Sequence, residues 1–150
     1  LGTVGPLTLI KQHLTEPFLV MNGDILTNLD FKQLIEFHKK NNAALTMVTK
    51  KITLPLRYGV VKADQNCKVT DIIEKPEIIE EINAGIYIIS PQHLNLLPYN
   101  EQTDMPDFIR LLLKNNQPVF KHQCTGQWLD IGRLEDYEKA QSQVSNGDFC

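Results

Sequence analysis

The feature that most constrains the fold is a short apolar run between a proline and an Asn-Gly-Asp turn, within residues 16–24. A continuous apolar run of this length, bounded by turn residues, is typical of a strand buried on both faces, as in a parallel sheet, and is too short for a buried helix. Asp24 follows the strand, and Gly23 beside it lets backbone approach a ligand closely. Because ligands of open α/β sheets bind beyond the carboxyl ends of strands, Asp24 is placed to handle a metal or a phosphate. Asn-Gly-Asp is equally ordinary turn chemistry, so this stretch alone leaves both interpretations open.

A helix pattern follows this first strand. Asp30 and Gln33 form a capping-box pattern, and helical spacing extends the element to about Asn41. His38 lies on its apolar face, where we expect a helix residue at the edge of the core and not a ligand. Residues 43–49 predict the next strand, so the three elements form a strand–helix–strand unit with a right-handed crossover.

The middle of the chain predicts a departure from this order. Residues 58–64 and 69–76 are predicted to pair as a hairpin-like insertion, which Pro76 closes because proline cannot donate to a strand ladder. Residues 77–81 are acidic and are predicted to be a short connection. The remaining predicted elements are helices at residues 7–14, 91–97, 104–115 and 134–144 and strands at residues 82–90, 118–122 and 127–132.

Composition narrows the function classes. The 150 residues are enough for one domain or a large part of one, and 42% apolar with 22% charged residues is ordinary for a globular protein. The net charge of −3, with acids and bases interspersed, argues against a nucleic-acid partner and against a membrane surface. The three cysteines are odd in number and lack metal-ligand spacing, which favours a reducing, cytoplasmic setting.

Four residues could carry chemistry. Asp24 and Asp130 both follow apolar, strand-like runs, and two carboxylates from distant strand ends suit Mg²⁺, which prefers one or two carboxylates together with phosphate oxygens and water. Glu74 and Lys75 lie together at a strand end, where a lysine can neutralise a phosphate and a glutamate can accept hydrogen bonds from sugar hydroxyls. A solvated charge pair at a sheet edge explains Glu74 and Lys75 equally well.

Six blocks of sequence together resemble the sugar-phosphate nucleotidyltransferase family, the nucleoside-diphosphate-sugar pyrophosphorylases, and most of all its mannose-1-phosphate guanylyltransferase branch. The blocks occur in the family's order from end to end of the chain. They are residues 1–5, 20–24, 58–61, 74–76, 82–87 and 128–132. With this resemblance, the expected fold is α/β: a three-layer, Rossmann-like nucleotidyltransferase domain with a mixed, mainly parallel sheet, amino-terminally truncated.

The resemblance implies nucleotide and metal roles at three positions. Gly2 matches the glycine that packs against the nucleotide base and ribose. Asp24 and Asp130 match the pair that binds magnesium. The implied cofactor is therefore Mg²⁺.

The resemblance also implies a sugar 1-phosphate site. Gly59 and Asn83 match residues that line the sugar pocket, and Gly85 matches a backbone contact there. Glu74 matches the acid that binds sugar hydroxyls, and Lys75 matches the lysine that holds the sugar phosphate. The implied partners are a nucleoside triphosphate and a sugar 1-phosphate, and a homo-oligomer is compatible with the resemblance.

In the family reaction a sugar 1-phosphate oxygen attacks the α-phosphorus of the triphosphate and pyrophosphate leaves. The nucleophile is already anionic, so alignment and charge neutralisation are needed and a general base is not. Accordingly, the four histidines need no catalytic spacing. The family's glycine-rich loop, which grips the triphosphate, has no counterpart in this sequence. We therefore expect a partial domain over residues 1–150, with a loose tail at residues 145–150, that is nearly inactive although its parent is active.

Two other functions stay open. A non-catalytic, sugar-nucleotide-binding regulatory module would keep the fold, but it would have little use for a pair of metal-binding aspartates. A glycosyltransferase of related architecture would use an Asp-x-Asp triplet to bind its metal, and no such triplet occurs in the sequence.

Overall fold

The computed structural model describes residues 2–132, 136–137 and 140–141. In these ranges the helices are α1 (Leu7–Ile10), which continues into a 3-10 turn (Lys11–His13), α2 (Phe31–Lys40), a 3-10 helix (Pro91–Leu96) and α3 (Met105–Lys114). The strands are β1 (Phe18–Met21), β2 (Ile25–Thr27), β3 (Leu45–Pro55), β4 (Val60–Ala63), β5 (Val69–Ile73), β6 (Glu77–Ile89), β7 (Val119–Gln123) and β8 (Trp128–Asp130).

The central sheet has four strands in the order β1-β6-β3-β7. β6 pairs antiparallel with both β1 and β3, whereas β3 and β7 pair in parallel. Three of the four strands therefore run in one direction, and the predicted mixed α/β sheet is confirmed. Among the described strands, parallel pairing within it is confined to β3 and β7, because β6 lies between the two strands that α2 connects.

Two apolar layers sandwich the sheet. Alternate residues of β6 point to opposite faces, so Tyr87 and Ile89 pack in one cluster with α3, while Ile86 and Ile88 pack in the other with α2. Helix α3 places Met105, Phe108 and Leu112 in the first cluster, as its spacing predicts. The resulting helix–sheet–helix arrangement confirms the predicted three layers.

The prediction that β1 is buried on both faces is wrong for the described residues. Phe18 and Val20 are half-buried against the core, but the side chains between and after them, Leu19 and Met21, are 41% and 40% exposed. The cause is that β1, at an edge of the sheet, contributes no residue to the apolar cluster on the face that packs against α2.

Helix α2 begins as its sequence predicts. The Asp30 carboxylate accepts hydrogen bonds from the backbone N–H groups of Lys32 at 2.9 Å and Gln33 at 3.1 Å, which satisfies two of the donors that a helix start leaves free. His38 is only 1% exposed, so it lies deeper in the core than the edge position that the sequence predicts. Its ring nitrogens lie 2.9 Å from the hydroxyl oxygens of Thr46 and Ser90, which makes it a structural residue of the core.

β3 and β6 form one long ribbon that extends beyond the helices. Residues 77–81, predicted to be a connection, are the first part of β6 and pair with residues 51–55. The prediction failed because acidic residues are tolerated in a strand whose faces are exposed. β4 and β5 form the predicted hairpin as a separate two-stranded sheet. We call residues 50–82, which comprise the outer part of the ribbon and this hairpin, the arm.

The carboxyl-terminal predictions are only partly covered. Residues 136–137 and 140–141 are helical, within the helix predicted at residues 134–144. The other residues of that helix, and the tail predicted at residues 145–150, lie outside the described residues.

Candidate active site

Asp24 and Asp130 are brought together by the small β2–β8 sheet. β2 and β8 pair antiparallel so that Ile25 lies opposite Asp130. The backbone N–H of Ile131 donates to the Asp24 carbonyl at 2.8 Å, which ties the two aspartate segments directly. Two carboxylates that are 106 positions apart in the sequence thus meet at one edge of the protein.

Gly132 faces both carboxylates. A Cβ built on Gly132 would lie 3.1 Å from Asp130 Oδ1 and 3.2 Å from Asp24 Oδ2, so both oxygens border the space that a side chain would fill. The Gly132 N–H also donates to Asp130 Oδ1 at 3.0 Å and orients that carboxylate. We call Asp24, Asp130 and Gly132 the carboxylate edge. Sequence reasoning did not assign Gly132 a role, although the acid-then-glycine ending of its block was a signal.

The donor set of the carboxylate edge suits a magnesium ion. Two carboxylates bordering one small space match the preference of Mg²⁺ for one or two protein carboxylates, with its other ligands supplied by phosphates and water. Within residues 2–132, 136–137 and 140–141, no cluster of three or more acidic, histidine or cysteine side chains forms a fuller cage.

A second group of predicted residues meets on the arm. A Cβ on Gly59 would lie 3.0 Å from Glu74 Oε2, so the Glu74 carboxylate lies over Gly59 and uses the space that the missing side chain leaves. Lys75 follows, is exposed, and has a φ of 43°, a left-handed backbone conformation that is costly for a residue other than glycine. Strain of this kind is concentrated at functional sites, although it does not identify one by itself.

Asn83 and Gly85 lie where β6 enters the core. The Asn83 carbonyl oxygen accepts from the Gly85 N–H at 3.1 Å, and its amide nitrogen donates to the Tyr87 hydroxyl at 2.5 Å. Gly85 has a φ of 72°, and a Cβ there would lie 2.7 Å from the Asn22 amide nitrogen. Both ends of the Asn83 amide are therefore used to shape β6, a structural task that the sequence did not reveal.

Gly2 is required by local packing. Its φ is 69°, and a Cβ would lie 2.5 Å from the Thr103 carbonyl oxygen and 2.6 Å from Asp104 Oδ1. The N–H of Thr3 donates to the same Asp104 oxygen at 3.0 Å. This face of Gly2 is filled by the segment before α3.

The carboxylate edge and the Glu74 group remain separate in the structure. Among the described residues, no hydrogen bond or ion pair joins Glu74 or Lys75 to either aspartate. Along β6, the six steps from Glu77 to Asn83 correspond to about 20 Å in a straight strand, and the coiling of a two-stranded ribbon shortens the direct distance.

Charge at the base of the arm is paired. Glu81 accepts a hydrogen bond from the Thr49 hydroxyl at 2.6 Å and forms an ion pair with Lys121. The Lys121 hydrogen bond, followed by that of Thr49, holds the pKa of Glu81 below its usual value. This pairing joins β3, β6 and β7 at the point where the arm leaves the core.

Comparison with known proteins assigns the fold to a family. The family model described as nucleotidyl transferase matches residues 1–147. The chain belongs to the nucleotidyl transferase family. The resemblance that the six sequence blocks carry is thereby confirmed. In the described ranges, this nucleotidyl transferase chain has no helix that is both long and apolar enough to span a membrane.

Relatives of this nucleotidyl transferase chain include sugar-phosphate enzymes. The catalytic subunit beta of mannose-1-phosphate guanylyltransferase from Drosophila pseudoobscura pseudoobscura is 37% identical over 142 residues, which cover 91% of this chain and 38% of that protein. The mannose-1-phosphate guanyltransferase of Yarrowia lipolytica (strain CLIB 122 / E 150) is 36% identical over 144 residues, covering 91% of this chain and 39% of that protein. The chain thus spans less than half the length of these curated relatives.

A solved structure shares the fold. HddC from Yersinia pseudotuberculosis matches with a TM-score of 0.68 and 27% identity, covering 96% of this chain and 63% of that one. The same protein complexed with GMP-PN matches equally well.

Proposed function

We propose that this chain is the metal-binding and acceptor-binding part of an enzyme that transfers a nucleotidyl group from a nucleoside triphosphate to a sugar 1-phosphate. A phosphate oxygen of the sugar forms a bond to the α-phosphorus, and the bond from that phosphorus to the β-phosphate oxygen breaks. Pyrophosphate leaves with the bonding electrons, and the product is a nucleoside diphosphate sugar. The observation that carries the proposal is the convergence of Asp24 and Asp130 on Gly132.

Asp24 and Asp130 would hold Mg²⁺ in the proposed enzyme. Bound magnesium supplies positive charge against the negative charge that develops on the transferring and leaving phosphates. The carboxylates keep that charge at a fixed place, and the bond from the Gly132 N–H to Asp130 keeps one carboxylate oriented while phosphates bind. No side chain has to accept a proton, since the attacking phosphate is already anionic.

The acceptor side of the proposal rests on the arm. Glu74, held over Gly59, would accept hydrogen bonds from sugar hydroxyls, and exposed Lys75 would hold the sugar phosphate. Asn83 and Gly85 would line the sugar pocket between the arm and the core, where the second N–H of the Asn83 amide, beside the one bonded to Tyr87, would donate to a sugar hydroxyl. Gly2 would present backbone to the nucleotide base on the side that Thr103 leaves free.

The names of the relatives favour a guanine nucleotide and a mannose-like sugar as first substrates to try. The cytoplasmic setting predicted from the cysteines belongs to the same proposal.

The test is pyrophosphate release by the intact protein of which this chain is part, with GTP and mannose 1-phosphate first and other triphosphates and sugar 1-phosphates after. Asp24→Asn and Asp130→Asn should each lower turnover by about 10²–10³-fold with the fold preserved, as expected when transition-state charge stabilisation is lost. Asp107→Asn, which changes an exposed carboxylate of α3, is the matched control and should leave turnover unchanged. Normal turnover in both site variants would contradict the metal assignment.

The binding-module alternative is separated by calorimetry. Titration of the intact protein with nucleoside triphosphate, with and without Mg²⁺, should show metal-dependent binding if the proposal is right. Metal-independent binding without turnover would favour the module. The 150-residue chain alone is predicted to be nearly inactive, and robust pyrophosphate release from it would contradict that prediction.

A further inference from the structure

β6 carries a bulge immediately beside the carboxylate edge. Asn83 lies opposite Thr49 and Tyr87 lies opposite Met47, so β6 passes three residues where β3 passes only Val48. Gly85 is buried in this bulge with a φ of 72°, which favours glycine because a Cβ strains the backbone there. Two successive carbonyl groups of this bulge, those of Ala84 and Gly85, bond to groups outside β3.

Each of these carbonyls accepts a hydrogen bond from a segment that carries one of the aspartates. The Gly85 carbonyl accepts from the backbone N–H of Asn22 at 2.9 Å, two residues before Asp24. The Ala84 carbonyl accepts from the indole N–H of Trp128 at 2.8 Å, two residues before Asp130. Each aspartate segment is thus anchored two residues before its aspartate, and the two anchors bond to adjacent peptide groups of β6.

Side chains hold the bulge in shape. The Asn83 amide bonds to the Gly85 N–H and to the Tyr87 hydroxyl, and Tyr87 is only 4% exposed. The Asn22 side chain fills the space beside Gly85, with its amide nitrogen 2.7 Å from the place of a Cβ. The carbonyl directions are therefore fixed by packing and hydrogen bonds before any ligand binds.

The anchors close a ring. From the bulge the connection runs through Asn22 to Asp24, across the 2.8 Å bond from the Ile131 N–H to the Asp24 carbonyl, through Asp130 to Trp128, and back to the bulge. The β2–β8 ladder joins the two aspartate segments to each other, and the bonds of Asn22 and Trp128 fix both segments against β6. Among these bonds, the indole bond of Trp128 is the one that a side-chain substitution removes most cleanly.

We propose that Trp128 is a positioning residue whose indole N–H, bonded to the β6 bulge, sets the distance between Asp24 and Asp130 for a divalent cation. This inference rests on the proposed function, because it takes the carboxylate edge to be a metal site. It adds that affinity for the metal is determined partly by a residue that does not touch it, in the way that supporting hydrogen bonds tune other metal sites.

Trp128→Phe tests the proposal because it keeps an aromatic ring and removes the N–H. The matched control is Asn41→Ala, which removes another 2.8 Å bond from a side-chain N–H to a main-chain carbonyl, that of Phe37 in α2. The measurement is a titration of the ¹⁵N-labelled chain with Mn²⁺, a paramagnetic cation that takes the same oxygen ligands. Broadening of the Gly132 amide signal reports occupancy of the carboxylate edge at the weak affinities expected of two carboxylates.

The dissociation constant for Mn²⁺ should rise about fivefold in Trp128→Phe, which corresponds to the loss of one ordinary hydrogen bond, and by less than twofold in Asn41→Ala. A second readout needs no metal. Hydrogen exchange at the Ile131 amide, which bridges to Asp24, should accelerate about fivefold in Trp128→Phe and by less than twofold in the control.

The outcomes separate the two hypotheses. If Mn²⁺ broadens Gly132 in the wild type and Trp128→Phe stays within twofold on both readouts, the positioning role is overturned and the metal site stands. If Mn²⁺ leaves Gly132 unaffected in the wild type, the metal assignment fails, and with it the role of Trp128 in metal binding. Equal loss in Trp128→Phe and Asn41→Ala would show general destabilisation and also overturn the proposal.

Discussion

The two halves of the β3–β6 ribbon differ in how far their side chains are buried. In the inner half, residues 84–89 of β6 are all buried between the layers that contain α2 and α3. In the arm, the same two strands are mostly exposed, and apolar side chains such as Tyr58, Ile72 and Ile79 are 80%, 64% and 65% exposed. A continuous pair of strands therefore supplies stability at one end and an accessible surface at the other. The catalytic aspartates proposed above lie beside the stable end, and three of the proposed acceptor residues, Gly59, Glu74 and Lys75, lie on the arm.

The largest expected effect tests this division directly. Phe108→Ala removes a fully buried ring of α3 and should lower the free energy of unfolding by about 3–5 kcal/mol, through lost burial and a cavity. Ile72→Ala on the arm should change it by less than about 0.5 kcal/mol. Urea denaturation of the chain measures both. Similar losses for the two variants would mean that the arm is part of the same cooperative core.

A smaller effect compares two glycines that face a side chain. Gly85→Ala in the bulge should cost about 1–3 kcal/mol, because the backbone is left-handed there and the methyl group meets Asn22. Gly59→Ala on the arm meets the far end of the Glu74 side chain at 3.0 Å and Ile72 at an ordinary contact distance of 3.7 Å, so the change should stay within about 0.5 kcal/mol. Urea denaturation measures both variants, and the midpoints can be compared if the dependence of the unfolding free energy on urea concentration is unchanged. A Gly59→Ala loss equal to that of Gly85→Ala would refute it.

The pH dependence of stability should arise largely from the core. Burial, followed by the nearby His93 and Lys39, lowers the pKa of His38. Below pH 6.5 the unfolded chain therefore binds more protons than the folded one. The stability contributed by the neutral imidazole is present above that pH and is lost toward the folded pKa, by up to about 1.4 kcal/mol per pH unit.

Urea denaturation at pH values from 8 to 5 checks this expectation. His38→Gln should flatten the slope, and Asn41→Ala, which changes no titratable group of α2, should leave it unchanged. Burial also lowers the pKa of His93, so some slope should remain after the His38 substitution. An unaltered slope in His38→Gln would contradict the assignment.

The smallest effect concerns strain on the arm. Lys75→Gly should raise the free energy of unfolding by up to about 1 kcal/mol, because glycine adopts its left-handed backbone without strain. In the intact enzyme the same change should raise the KM for the sugar 1-phosphate, since the proposed phosphate contact is lost. Lys62→Gly, on β4 of the arm, serves as the control and should alter neither quantity in this way. A Lys75→Gly variant that is stabilised but keeps a normal KM would contradict the proposed contact between Lys75 and the sugar phosphate.

The sequence predicted the local elements well because local signals determine them. The cap at Asp30 and the apolar spacing of Met105, Phe108 and Leu112 were sufficient to place α2 and α3. The insertion of β6 between β1 and β3 depends on pairing between residues far apart in sequence, and no local pattern records it. For the same reason the apolar run of β1 predicted burial on both faces, whereas the exposure of one face depends on which helix covers it.

The candidate site could also be predicted only in part, from its local sequence signals. Asp24 and Asp130 could be chosen because each ends an apolar run, and the structure brings them together. The supporting groups were not predictable, since the contacts of Gly132, Trp128 and the bulge carbonyls exist only after β2 and β8 have paired. Asn83 was expected to face a sugar, and the structure shows that its amide also has a structural use. Whether it contacts a sugar stays a prediction.

Hydrogen bonds among the buried side chains of His38, Thr46 and Ser90 determine which ring nitrogen of His38 carries the hydrogen. The single hydroxyl hydrogen of Ser90 points at the Ala43 carbonyl, 2.7 Å away, so its oxygen can only accept from the ring. Nε2 therefore carries the hydrogen, and the bare Nδ1 receives that of Thr46. Ser90, which directly follows β6, thus selects one tautomer of His38. A ¹⁵N spectrum at neutral pH should contain a single, slowly exchanging ring N–H resonance from this histidine.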